Sequence, residues 1–320
     1  MFTDTQIQDQ VQDYSTQLFS QEQIVSNINR RDLRLIATQM DEEQARFYVK
    51  RYYILQNDRI RYNNQVRTMG AKPNLLLSSF SEISAKQESL LKKVLDDYSI
   101  DHPVGQWLRT IRGIGPVIAA GLISHIDPTR VFTAGSLWRY AGMDPSQPKM
   151  QKGVKRSWNA DLKTLLFKAG ESFIKTKGHE EGFYGHLYDE KKEYYIQKNL
   201  NGEYSEIAAR LLTEKKWDTK TVTYAALKAG RLSDGHIHAM ARRFAAKIFL
   251  SHLFEVYCIT VKGEKPPAPF AISILGHAHY IKIPNPDSVR KFVDPCGDDI
   301  VPENEDGDDP ADDFNGLINK

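Results

Sequence analysis

Residues 107–125 read Trp107-Leu-Arg-Thr-Ile-Arg-Gly113-Ile-Gly115-Pro116-Val-Ile-Ala-Ala-Gly-Leu-Ile-Ser-His125. The stretch predicts two helices joined by a tight bend. The first helix is expected to end at Arg112, and Gly113-Ile114-Gly115 makes the turn. Glycine turns a backbone without a Cβ clash. Pro116 fits the first position of the second helix, where the N–H it lacks has no partner anyway. In that helix Val117, Ala120 and Leu122 are expected inside, and Ala119 and Gly121 let a neighbouring helix approach closely. The bend leaves bare amides at a helix N-terminus, which favours a phosphate. Such a helix-hairpin-helix grips the sugar-phosphate backbone through Gly113, Ile114 and Gly115 and reads no bases. The alternative is a tight αα-hairpin with no ligand.

Working outward, Asp41 can cap a long helix to about Met69, with Glu42 and Glu43 at its positive end. Residues 80–98 form another helix, which His102-Pro103 breaks. After the hairpin, a helix is expected from about Ala134 to Tyr140, stopped by Gly142 and Pro145. Next comes a polar, basic loop carrying Lys149, Lys152, Lys155 and Arg156. Asn159 can cap a helix to about Lys175. An aromatic and Lys-rich helix follows from about Gly182 to Gln197, then a helical insertion and a long Ala-, Phe- and Leu-rich helix from Ile237 to Thr260. No βαβ alternation stands out, so the fold class is mainly α, multi-helix, with a central helix-hairpin-helix. The expected organisation is a helical N-terminal region (1–79), a hairpin domain with its basic loop (80–198), an insertion (199–235), a C-terminal helix and loop completing the domain (236–293), and an acidic tail (294–320).

The net charge of +2 conceals an asymmetry. Residues 294–320 hold ten acidic side chains and one basic one, while positions 1–293 carry a net +11. A basic body suits a polyanionic partner, DNA or structured RNA. The acidic tail reads as disordered, and it can compete with nucleic acid for the basic face. No apolar run approaches the length of a bilayer span, so no membrane is expected. The N-terminus lacks a secretory pattern, and two cysteines build neither a disulfide framework nor a Cys-based zinc site. A reducing, cytosolic (cytoplasmic) location fits these features. Two His-x-His pairs, His236/His238 and His277/His279, raise a metal reading. A zinc site needs three or four converging ligands, however, and no metal site is assigned.

Together these features resemble the C-terminal domain of the insertion-sequence-110/116 transposase family. The matching stretches are Ile111 to Pro116, Leu137-Trp138-Arg139-Tyr140-Ala141-Gly142-Met143-Asp144-Pro145, Leu162-Lys163-Thr164-Leu165-Leu166, and the helix Ala239 to Leu253. The resemblance implies transposition, recombination and mobile-element biology, with a homodimer through the helices before the hairpin. Family members begin with an RNase-H-like domain whose carboxylates hold metal ions. The first 80 residues here are helical in pattern and carry no such strands, so Mg²⁺ enters only if the chain is catalytic. The family also has a serine near a Ser-Lys-Arg-Gly pattern, proposed as nucleophile. The nearest equivalent is Lys155-Arg156-Ser157-Trp158-Asn159, which makes Ser157 the candidate. Ungapped alignment puts Lys155 at that position, and a small shift brings Ser157 there. Beside Lys155 and Arg156, Ser157 has a positive field suited to phosphate chemistry; equally, it can cap the following helix. Trp158 can stack on a base or anchor the loop.

Overall fold

The computed structural model describes residues 28–70, 74–147, 150, 152–264, 266 and 281–290. The expected helices before residue 28, Lys149, His277, His279, Cys296 and the acidic tail lie outside them. The regular structure of the described residues is helical, and no strand occurs among them. The chain divides into two compact units, Met1–Tyr98 and Ser99–Lys320.

In the first unit, α1 is Arg30–Gln39, α2 is Glu42–Thr68 and α3 is Leu75–Asp101. Asn29 with Asp32, and Asp41 with Gln44, form reciprocal caps that satisfy orphan amides at the starts of α1 and α2. Helix α3 starts five residues earlier than its apolar spacing suggests, because Asn74 Oδ1 accepts from the Leu77 amide at 3.1 Å. Arg59 clamps the buried Glu88 through two nitrogens at 2.6 and 3.2 Å. Ser81 Oγ donates to Asn63 at 2.8 Å. Both contacts tie α2 to α3.

In the second unit, α4 (Pro103–Thr110) and α5 (Pro116–His125) flank the glycine bend, followed by α6 (Ala134–Tyr140), α7 (Ala160–Lys175) and α8 (Phe183–Leu200). Helices α9 (Ser205–Glu214) and α10 (Val222–Lys228) form the insertion, and α11 is Asp234–Tyr257. A π-helical turn, Cys258–Lys262, extends α11, and a short α12 covers Asp287–Arg290. Pro103 and Pro116 both stand at helix starts, and His102 Nδ1 accepts from the Val104 amide at 3.2 Å. Helix α4 ends at Thr110, two residues before the expected Arg112. Ile111 leaves helical geometry with its side chain buried, and its carbonyl takes the Ile114 amide at 3.0 Å, so the turn begins there.

Helix α11 is the central post. Phe249 meets Trp107 of α4, Phe173 of α7 and Tyr184 of α8 at ring distances of 6.1, 5.2 and 5.2 Å. All four side chains are essentially fully buried, and large aromatic surfaces of this kind supply most of the stabilising burial. A second cluster joins the insertion to this core: Tyr204, Ala208, Leu227 and Leu232 pack with Tyr188, Tyr195 and Ile237. The expectation about apolar length needs correcting at α11. Asp234–Lys262 is long and apolar enough, by length and composition, to cross a bilayer. Arg242, Arg243, Lys247 and Glu255 interrupt the run and hide it from a search for unbroken apolar residues. Since 72% of the apolar window is buried within the protein, its burial partners are other helices.

Candidate nucleic-acid interface

The bend is built by long-range packing as well as by its glycines. Gly113 sits at φ +98, where an L side chain is strained. Its carbonyl accepts from Ser172 Oγ of α7 at 2.6 Å. A Cβ on Gly113 would lie 3.2–3.3 Å from Thr176 Oγ1, Phe173 Cδ1 and the Ser172 carbonyl carbon. Ile114 is buried, so only its backbone is available; its carbonyl accepts from Arg109 at 3.1 Å. Gly115 is the N-cap of α5, has no side-chain cap, and meets no heavy atom within 4 Å of an ideal Cβ. The start of α5 is thus open where the helix dipole is positive. Exposed Arg112 reaches the His179 ring at 3.2 Å beside it. Lys175 lies one turn beyond Ser172 on α7, and with burial it holds the Lys168 ammonium below its usual pKa range.

The basic loop returns to the fold at the other end of α5. The Asn159 amide donates to the Tyr140 carbonyl at 2.8 Å, and Asn159 Nδ2 to Tyr140 Oη at 2.9 Å. The same amide group lies 3.3 Å from His125, the last residue of α5. Asn159 Oδ1 accepts from the Leu162 amide at 3.0 Å, which makes Asn159 the N-cap of α7. Helix α7 therefore runs antiparallel to α5, from His125 back to Gly113. Ten residues of α5 separate the glycine bend from the loop base by about 15 Å. The sequence-predicted residues thus fall into two groups at opposite ends of one helix.

In the loop, Lys152, Lys155, Arg156 and Ser157 are all exposed. The cap of α7 is Asn159, which leaves Ser157 in the loop. Trp158 is half-buried and packs on Gly142, whose φ is +66; a Cβ there would sit 2.7 Å from Trp158 Cδ1. Lys163 Nζ stands 4.8 Å over the same ring, and Lys163 Cδ would lie 3.1 Å from that Cβ. Trp158 thus packs against both Gly142 and Lys163.

Three basic residues that sequence reasoning passed over stand near this end: Lys163 on α7, and Arg243 and Lys247 on α11. Lys247 Nζ sits 4.2 Å over Trp138, whose Nε1 donates to the Lys247 carbonyl at 3.2 Å. Burial first, then Arg243 and Arg156, hold Lys163 below its usual pKa range. The available signal was charge at positions of α11 surrounded by buried Ala, Ile and Phe, since cations are seldom placed there without a role. The neighbouring Arg242 is spent structurally: it pairs with Glu171 and covers Phe167 at 4.0 Å.

Among the described residues no group of three or more His, Cys, Asp or Glu converges. Asp144, the acid nearest the loop, accepts from Arg139 at 3.2 Å and from Ser146. His238 Nδ1 meets Tyr188 Oη at 2.7 Å, and His236 is held below its usual pKa range by burial, then by Arg243 and Lys215.

An α-helical unit with a capless glycine bend and an antiparallel, cation-bearing neighbour is thus in place. Residues 105–184 match the transposase IS116/IS110/IS902 family, and this segment is transposase-like. The matched segment holds the bend, α5, α6, the basic loop and α7, and ends at the start of α8. No curated protein and no solved structure matches the chain.

Proposed function

We propose that the second unit is a transposase-like module of mobile-element biology that holds the backbone of a DNA strand at the Gly113–Gly115 bend. The observation that carries this reading is the open start of α5: Gly115 offers no side-chain cap and no steric cover, inside a segment matching a transposase family. Arg112 and Lys175 add charge beside it. Across the length of α5, Lys152, Lys155 and Arg156 present further cations. About 15 Å along duplex DNA corresponds to roughly four base pairs on one strand, so both ends of α5 can meet one backbone. The proposal includes a homodimer through α3, where exposed Leu76, Phe80 and Ile83 recur every three or four residues.

Binding without catalysis is the reading favoured over strand transfer by this unit alone. Among the described residues no group of three or more His, Cys, Asp or Glu converges, and Ser157 is exposed in the loop. Duplex, branched DNA and RNA in a gel shift test the binding. Supercoiled DNA with Mg²⁺ tests the chemistry, comparing Ser157→Ala with the unaltered chain. Retention of no polynucleotide overturns the proposal. Strand cleavage that Ser157→Ala abolishes replaces the binding-only reading with a nucleophilic one.

A further inference from the structure

Arg156, Lys163, Arg243 and Lys247 come from three separate parts of the chain: the basic loop, α7 and α11. They are near enough to act on one another electrostatically. Arg156 and Arg243 each push against Lys163, and Arg243 pushes against Lys247. On α11, Arg243 and Lys247 are one turn apart, with His236 two turns before Arg243 on the same face. His236 in turn feels Arg243 and Lys215, so the positive track continues toward the insertion.

The group is held in place by its neighbours. Two of its ammonium groups are fixed over tryptophan rings, Lys163 on Trp158 and Lys247 on Trp138. Burial lowers the pKa values of Lys163, Arg243 and Lys247 alike. Asp144 acts on Lys247, and it is also engaged by Arg139. Converging cations repel, and partial desolvation weakens their hydration as well. An anionic ligand would relieve that repulsion.

We propose that Lys163, Arg243 and Lys247, with Arg156 at the rim, form a second phosphodiester-binding site at the far end of α5 from the glycine bend. The ligand is a nucleic-acid backbone, and the inference rests on the function proposed above. The bend supplies amides and the cluster supplies charge. The two sites together fix the direction of a strand along α5 and α7, which neither fixes alone. The tryptophans position the ammonium groups; Arg243 and Lys163 are exposed and Lys247 is half-buried.

The test is the triple variant Lys163→Gln/Arg243→Gln/Lys247→Gln in the full chain. Affinity is read by fluorescence anisotropy on a 30-base-pair DNA duplex and an RNA duplex of the same sequence, between 50 and 200 mM salt. Each phosphate contact contributes about 0.9 to the log–log salt slope on DNA, so the slope should fall by about 2 to 3 and affinity at 100 mM by at least about tenfold. Melting without nucleic acid is the folding control: relief of repulsion opposes the loss of two cation–ring contacts, so Tm should stay within about 4 °C of the unaltered chain. The single Arg243→Gln keeps both cation–ring contacts and should lower the slope by about 1. Losses on both duplexes support a backbone site, and loss on one alone assigns the site to that nucleic acid. Unchanged slope and affinity on both, while Gly115→Asp still abolishes binding, overturns the cluster and leaves the bend standing. If the unaltered chain holds neither duplex, both proposals fall.

Discussion

Gly113 and Gly115 look interchangeable in sequence, yet their surroundings predict opposite consequences for the same substitution. At Gly113, alanine must adopt φ +98, which costs about 1–2 kcal/mol. Its methyl would also press on Ser172 backbone, Phe173 and Thr176 at 3.2–3.3 Å. Helix backbone yields poorly, so overpacking adds about 1 kcal/mol or more. Reduced freedom of the unfolded chain returns about 0.4–1 kcal/mol. The net loss is about 2 kcal/mol, or a fall in Tm of about 4–8 °C for a unit of this size. At Gly115, φ −89 and ψ 175 are ordinary and the space is open. The gain in chain stiffness there roughly offsets the poorer capping preference of alanine, for a net change near zero. Urea denaturation of the two single variants, followed by far-UV circular dichroism, measures the difference. Equal midpoints, or a greater loss at Gly115, would refute the packing of the bend against α7.

Two further outcomes follow. His252 is buried; its Nε2 donates to the Ile281 carbonyl at 2.8 Å, and its Nδ1 accepts from Tyr184 Oη at 2.8 Å. Burial lowers its pKa to about 4, so the folded state keeps it neutral while the unfolded chain takes a proton near pH 6.5. Its contribution is complete above about pH 6.5 and is lost as pH falls toward 4, about 3 kcal/mol in all. His252→Gln should flatten that slope in denaturation curves, and an unchanged slope would reject the assignment. Asn159→Ala removes the cap of α7 and the tie to Tyr140, and should cost about 1–2 kcal/mol by urea denaturation. A loss below a few tenths would mean the loop base is held otherwise.

Much of the helical framework was legible because it is locally encoded. Asp41 caps α2, Thr133 caps α6, and Asn159 caps α7, each by a side chain reaching its own helix. Prolines at 103 and 116 mark helix starts for the same local reason. The site was only half legible. Gly113 announces its positive φ, but nothing near it in sequence foretells Ser172, 59 residues away, as its partner. The basic loop follows the hairpin in sequence, and nothing local sets which end of α5 it meets. The antiparallel course of α7 places its base at His125. Arg243 and Lys247 were hidden for a related reason: their helix reads as core, and only tertiary packing brings their faces to Lys163 and the loop.

The central claim concerns the amides at the start of α5, and Gly115→Asp addresses it alone. Aspartate at an N-cap accepts from those amides and complements the helix dipole, so Tm should hold or rise. The same carboxylate occupies the position proposed for a phosphate, and affinity for a 30-base-pair DNA duplex at 100 mM salt should drop by about tenfold or more. A folded Gly115→Asp protein that binds the duplex as tightly as the unaltered chain would contradict the account.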